Sequence, residues 1–186
     1  LFARWRESSD LNRMILTLAW WSRTSDTASI KRVLQRADSV LREPPRSPRL
    51  QLDAQYGASA ARARLSLARG DTTGALSYFA QLPDSLVPFL RYFDRFDRAR
   101  ALAAQRQYRE AAAVLDSKLP PEYTLTVSEV IWWLERARVA AQLQNHDLAR
   151  RGYVIVSRAW ANADPELRRY VDEAERALRP RVVALK

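Results

Sequence analysis

Apolar residues at positions 30, 33, 34, 37, 40 and 41 recur at three- and four-residue spacing, which places Ile30, Val33, Leu34, Ala37, Val40 and Leu41 on one helical face. Asp26 stands where an N-cap belongs, so this spacing predicts a helix from there through about Arg42. An earlier helix is expected from about Ser8 to Trp21. The stretch "EPPRSPR" at 43–49 then prevents helix continuation and separates an N-terminal hairpin, 1–48, from the remainder of the chain. Residues 49–69 read as a long helix ending near Gly70, and Asp71 caps a shorter one through Leu82. A second pair is expected at about 87–105 and 107–118, and a third at about 127–144 and 147–161. The third pair opens with a capping box of Thr126 and Glu129, with Leu125 and Val130 in the hydrophobic-staple positions. "ADPEL" starts a last helix with Asp164 as N-cap and Pro165 at N1. Its many charged residues suit the polar end-cap of a stack of helices.

The three pairs repeat one another. An Arg-Ala-Arg triplet occurs at 62–64, 98–100 and 136–138, so the second Arg returns after 36 and then 38 residues. In each copy a small residue lies eleven positions after that Arg (Ala75, Ala111, Ala149), and a bulky one four positions later (Phe79, Leu115, Tyr153). A period in this range signals stacked supersecondary units. Successive helical residues are turned by about 100°, so the two arginines of a triplet flank an Ala that faces the partner helix. A methyl side chain there lets two helix axes approach to about 8–10 Å. The expected fold class is therefore all-α, with 49–186 forming three hairpins and a capping helix, continuous with the N-terminal hairpin as one domain.

Ala63, Ala75 and Phe79, with their counterparts Ala99, Ala111 and Leu115 and Ala137, Ala149 and Tyr153, resemble the tetratricopeptide repeat. That family has a small residue in the middle of its first helix, a second twelve positions later and a large residue four beyond it. Trp133 also stands where the family favours Trp, four before Ala137; Ser59 and Arg95 occupy that place in the first two units. The resemblance covers roughly 50–180 and implies a right-handed α-solenoid. The segment from Trp132 to Leu178 is further similar to the C-terminal repeat region of large bacterial regulatory proteins, which place a serine/threonine kinase or transcription-activator domain upstream.

Composition narrows the chemistry. With no Cys among 186 residues there is no disulfide framework and no thiolate metal site, and a lone His146 cannot build a multi-histidine centre. No cofactor or metal is expected. His146 lies in the turn "QNHDL" without a recurring partner for acid–base work, and "GDTTG" at 70–74 lacks the Lys of a phosphate-binding loop and reads as an interhelix turn. No catalytic activity is expected. Apolar runs such as "MILTLAWW" fall short of the roughly 20 residues a membrane span needs. The chain begins at Leu1 with neither Met nor a charged-then-apolar leader, so no signal peptide is expected and it reads as a piece of something longer. Net charge is +10, spread along the chain, and 28 of the 31 basic residues are Arg. Such a field attracts any polyanion.

The resemblance implies that first helices line a concave groove and that the residue after the central Ala faces it. Arg64, Arg100 and Arg138 would then occupy successive rungs, with Phe96 and Leu134 offering apolar contact, a set suited to an acidic or carboxylate-bearing partner segment. The competing expectation is that these arginines pair with helical neighbours such as Asp97 and Glu135. The aromatics Tyr92, Phe93 and Phe96 among Arg91, Arg95 and Arg98 follow core spacing, and one Trp of each doublet, Trp20–Trp21 and Trp132–Trp133, is expected to be the more exposed. The favoured function is a protein–protein interaction scaffold or regulatory module. The alternatives are a nucleic-acid-binding helical repeat, motivated by charge, and a structural subunit that packs through its outer surface.

Overall fold

The computed structural model describes residues 10–44, 47–82, 88–116 and 127–179, with the side chains of 88–93, 127, 128 and 166 outside that description. The described residues are all-helical: α1 Leu11–Arg23, α2 Thr27–Arg42, α3 Pro48–Ala68, α4 Thr72–Ala80, α5 Pro88–Ala104, α6 Tyr108–Asp116, α7 Val127–Gln142, α8 His146–Ala159 and α9 Pro165–Leu178. Each lies within a few residues of its sequence expectation. Leu125 and Thr126, the expected staple and cap of α7, lie outside the described residues, as do the side chains of Arg91, Tyr92 and Phe93.

The starts are set by side chains that satisfy the otherwise unpaired amides of a first turn, each worth about 1 kcal/mol. The Asp26 carboxylate accepts from the Ser29 amide at 3.0 Å, Ser47 from Leu50 at 3.1 Å, Asp71 from Gly74 at 2.8 Å and Asn145 from Leu148 at 3.1 Å. Asp164, by contrast, precedes α9 without a side-chain cap bond, and Pro165 alone marks that start. His146 opens α8 instead of lying in the turn before it.

The turns share one device. Ser25, Gly70, Arg106 and Gln144 all adopt positive φ, between 56° and 76°, between the paired helices. In three of them the following residue sends its amide back to a carbonyl five residues earlier: Asp26 to Trp21, Asp71 to Ser66 and Asn145 to Ala140, at 2.8 to 2.9 Å. This is the Schellman closure of a helix end. Only Gly70 is the residue type that adopts this conformation without steric cost.

The chain divides into two compact units, Leu1–Gln105 and Arg106–Lys186, with the boundary between the two helices of the second expected hairpin. In the first, α2 and α4 pack on α3, and α1 touches α2, α3 and α5. Its core joins Leu11, Ile15, Leu18 and Trp21 of α1 to Ile30, Val33 and Ala37 of α2 and to the alanines of α3. In the second, α8 packs between α7 and α9, and α6 packs on α7. The repeated small and bulky positions are all buried, from Ala63, Ala75 and Phe79 through Ala137, Ala149 and Tyr153. The value of small residues is plainest at Gly152, where a Cβ would lie 2.8 Å from both the Ala137 Cβ and the Trp133 carbonyl oxygen.

Candidate functional site

The three arginines expected to line a groove have different fates, and the first is a correction. Arg64, on α3, is 2% exposed. Its Nη2 donates to Asp94 Oδ1 at 2.8 Å and lies 3.1 Å from Asp97 Oδ2, both on α5, while Nη1 donates to the Ala60 carbonyl. Tyr56, two turns earlier on α3, donates its hydroxyl to the other Asp94 oxygen at 2.5 Å. The Phe79 ring centroid is 6.0 Å from the guanidinium. Arg64 thus faces the neighbouring helix of its own unit: its charge cannot be left in an apolar interior, and two carboxylates supplied from α5 draw it inward.

Arg138, on α7, repeats the arrangement in the second unit with more water. Its Nε and Nη2 donate to the two Glu173 oxygens of α9 at 2.7 and 2.6 Å, a bidentate pair, and Nη1 donates to Glu135 at 3.1 Å. The Arg138 side chain is 33% exposed and that of Glu173 30%. Arg100 lies 3.7 Å from Asp97 and keeps 37% of its side chain exposed. Pairing with Asp97 and Glu135, the competing expectation, is therefore present for Arg100 and Arg138.

Phe96 and Leu134, expected to offer apolar contact to a partner, are also corrected: they are 0% and 1% exposed and belong to the core. For Phe96 the core spacing of the aromatics in its segment was the signal that pointed inward. Trp20 is 47% exposed and Trp21 1%, as the doublet reading expects, while both Trp132 and Trp133 are half-buried.

Burial and charge shift the ionisations of these clusters. Burial raises the Asp94 carboxyl above the usual carboxylate range, more than the Arg64 charge and its hydrogen bonds lower it. The same burial, followed by the Asp94 charge, holds the Tyr56 hydroxyl well above its ordinary value. Burial works against the Arg64 charge, yet Asp94 and Asp97 keep its net shift upward, and Glu173 and Glu135 do so for Arg138. Asp94 is therefore displaced upward by its burial and Arg64 by the two carboxylates it faces.

Concave surface is found elsewhere. In the second unit a groove of about 230 Å³ opens between α6, α7 and the start of α8. Leu115, Val139, Leu143 and Leu148 line it, and Leu143 is 39% exposed. At one end Arg136 pairs with Asp116 and lies over the Trp132 and Trp133 rings, at 4.6 and 5.6 Å from their centroids. The Trp132 indole donates to the Leu115 carbonyl at 2.7 Å, which fixes that wall. Sequence reasoning missed this groove, because its residues come from three helices and only the first Arg of the third triplet hints at it. Among the described residues no group of three His, Cys, Asp or Glu could hold a metal ion, and no helix is long and apolar enough to cross a membrane.

The chain was compared with protein-family models, curated proteins and solved structures, and nothing in any of the three matches it.

Proposed function

We propose that the chain is a non-catalytic helical-repeat module, a right-handed solenoid of tetratricopeptide-like hairpins, that docks a partner protein. The internal repeat of buried small residues and the shared positive-φ turn support the repeat architecture. The turn at Ser25 extends the hairpin design to α1 and α2, although Leu18 and Ile30 stand there in place of the small residues. The docking reading rests on one observation: the apolar groove at Val139, Leu143 and Leu148, with Leu143 exposed at its mouth. A partner segment would seat an apolar side chain there and turn acidic residues toward Arg136 and the basic surface. This replaces the groove of Arg64, Phe96 and Leu134, whose side chains are internal. The nucleic-acid reading keeps the net charge of +10 but loses one member of its arginine row, since Arg64 is not on a surface.

A photo-crosslinking residue at Leu143 tests the docking reading in native extract. The expected result is one or a few discrete protein adducts that vanish when Leu148→Asp is added. A ladder of nucleic-acid adducts, or no adduct beyond that of a matched probe at exposed Arg158, would remove it.

A further inference from the structure

The first unit carries a surface that the docking reading does not use. The solvent face of α2 presents Lys31, Arg32, Arg36 and Arg42, all exposed, with Gln35 among them. At about 100° per residue the four cations fall within an arc of about 140°. Asp38 is the one carboxylate in this helix, and it is bound at 2.7 Å to Arg62 of α3. Arg32 donates to the Ser29 hydroxyl and Arg42 to the Asp38 carbonyl, and among the described residues none of the four cations pairs with a carboxylate. A solvated helix face ordinarily mixes the two signs, as α9 does with Arg168 beside Asp172. Arg32 and Arg36, four apart, instead repel one another, and an anionic surface laid against them removes that cost.

The adjoining helix adds the second requirement. α1 joins α2 through the turn at 24–26 and packs on it. Its solvent face is apolar in the middle and basic at both ends: Arg13, Leu16, Trp20 and Arg23 fall within an arc of about 80°. Leu16 is 43% exposed and Trp20 47%, while the same helix buries Ile15 and Trp21. Arg13 has only the exposed Asp10 beside it, at 3.4 Å, a pair that water screens. Both helices rest their buried faces on α3, so both solvent faces are turned away from it. A nucleic-acid duplex offers phosphates to such a hairpin but no apolar layer for Leu16 and Trp20. The surface of an anionic bilayer offers both.

We propose that the α1–α2 hairpin docks on the surface of a bilayer containing anionic phospholipid, with Leu16 and Trp20 entering the boundary between headgroups and acyl chains and the α2 cations held over the phosphates. An indole suits that boundary because its ring is apolar and its N–H keeps a polar partner, and Arg13 and Arg23 reach back to the headgroups. With 13 residues, α1 is too short to span and lies in the plane of the surface. Attachment by two apolar side chains and a cationic row is reversible. The Leu143 groove, in the other unit, plays no part in it.

The test sediments the whole chain with vesicles of phosphatidylcholine alone, or with about one third phosphatidylglycerol, at about 0.1 M salt. Binding is expected to the anionic vesicles only, weakening as salt is raised. Each cation near such a surface is worth about fivefold in partitioning, so Arg32→Gln with Arg36→Gln should weaken binding about 25-fold. Leu16→Ser with Trp20→Ser should weaken it about tenfold or more. All four positions are exposed, so each variant should keep the helical circular-dichroism signal. Brominated acyl chains should quench the tryptophan emission of the wild type more than that of Trp20→Phe, a readout that adsorption by charge alone does not move. The proposal is overturned if the chain binds neither vesicle or both equally, or if loss of Leu16 and Trp20 leaves affinity unchanged in folded protein. Release of the chain from anionic vesicles by a DNA duplex of equal phosphate concentration would overturn it as well and give the face to nucleic acid.

Discussion

Arg64 and Arg138 occupy the same place in the repeat and make the same kind of bond, each reaching a carboxylate on another helix of its own unit. They differ in water. Around Arg64 the guanidinium, both aspartates and the Tyr56 ring are all buried, whereas Arg138 and Glu173 each keep about a third of their side chains exposed. A buried pair is costly to form and far more costly to halve, because the survivor has no water to turn to. A half-exposed pair is screened, and water takes over when one partner leaves. One sequence position thus yields an indispensable contact in the first unit and an adjustable one in the second.

Substitution separates the two. Arg64→Met leaves Asp94 buried without a counter-ion and Asp97 with only Arg100, 3.7 Å away, and a loss of roughly 3–5 kcal/mol in unfolding free energy by urea titration is expected. Adding Asp94→Asn and Asp97→Asn should restore part of that loss, since both negative charges are gone while Tyr56 keeps an acceptor. Arg138→Met should cost only about 1 kcal/mol once its exposure is allowed for. Equal losses at the two positions would abolish the distinction.

The smallest effect is a pH slope. Burial, outweighing Arg64, raises the folded-state Asp94 carboxyl above its unfolded value near 3.8, so the folded chain binds the proton more tightly. The stability this contributes is full below the unfolded value and is lost as pH rises through the folded one. Wild-type urea midpoints should therefore fall more steeply above about pH 4 than those of Asp94→Asn. Parallel profiles would show that Asp94 ionises no less readily in the fold than in the open chain.

Much of this was legible in the sequence. The Asp26 and Asp71 caps, the break at 43–49 and the repeated alanines are local features, and local chemistry decides helix ends and close helix contacts. The bond from Arg64 to α5 was not legible, because it joins residues 30 and 33 apart in the chain, whose pairing depends on how α3 and α5 lie together. Periodicity assigned that arginine to an edge of the helix contact. It does not say whether another helix covers the edge, and here Asp94 and Asp97 cover it. The positive-φ turns at Ser25, Arg106 and Gln144 were equally hidden, since none has the Gly that ordinarily announces one.

The Arg64 cluster also imposes an order of events during synthesis. The carboxylates that neutralise this guanidinium lie thirty and more positions downstream, so α1–α4 emerge from the ribosome before the partners of Arg64 exist. Until Asp94 and Asp97 have left the exit tunnel, the α3 face that carries Arg64 must stay in water, and α5 is the element that covers it.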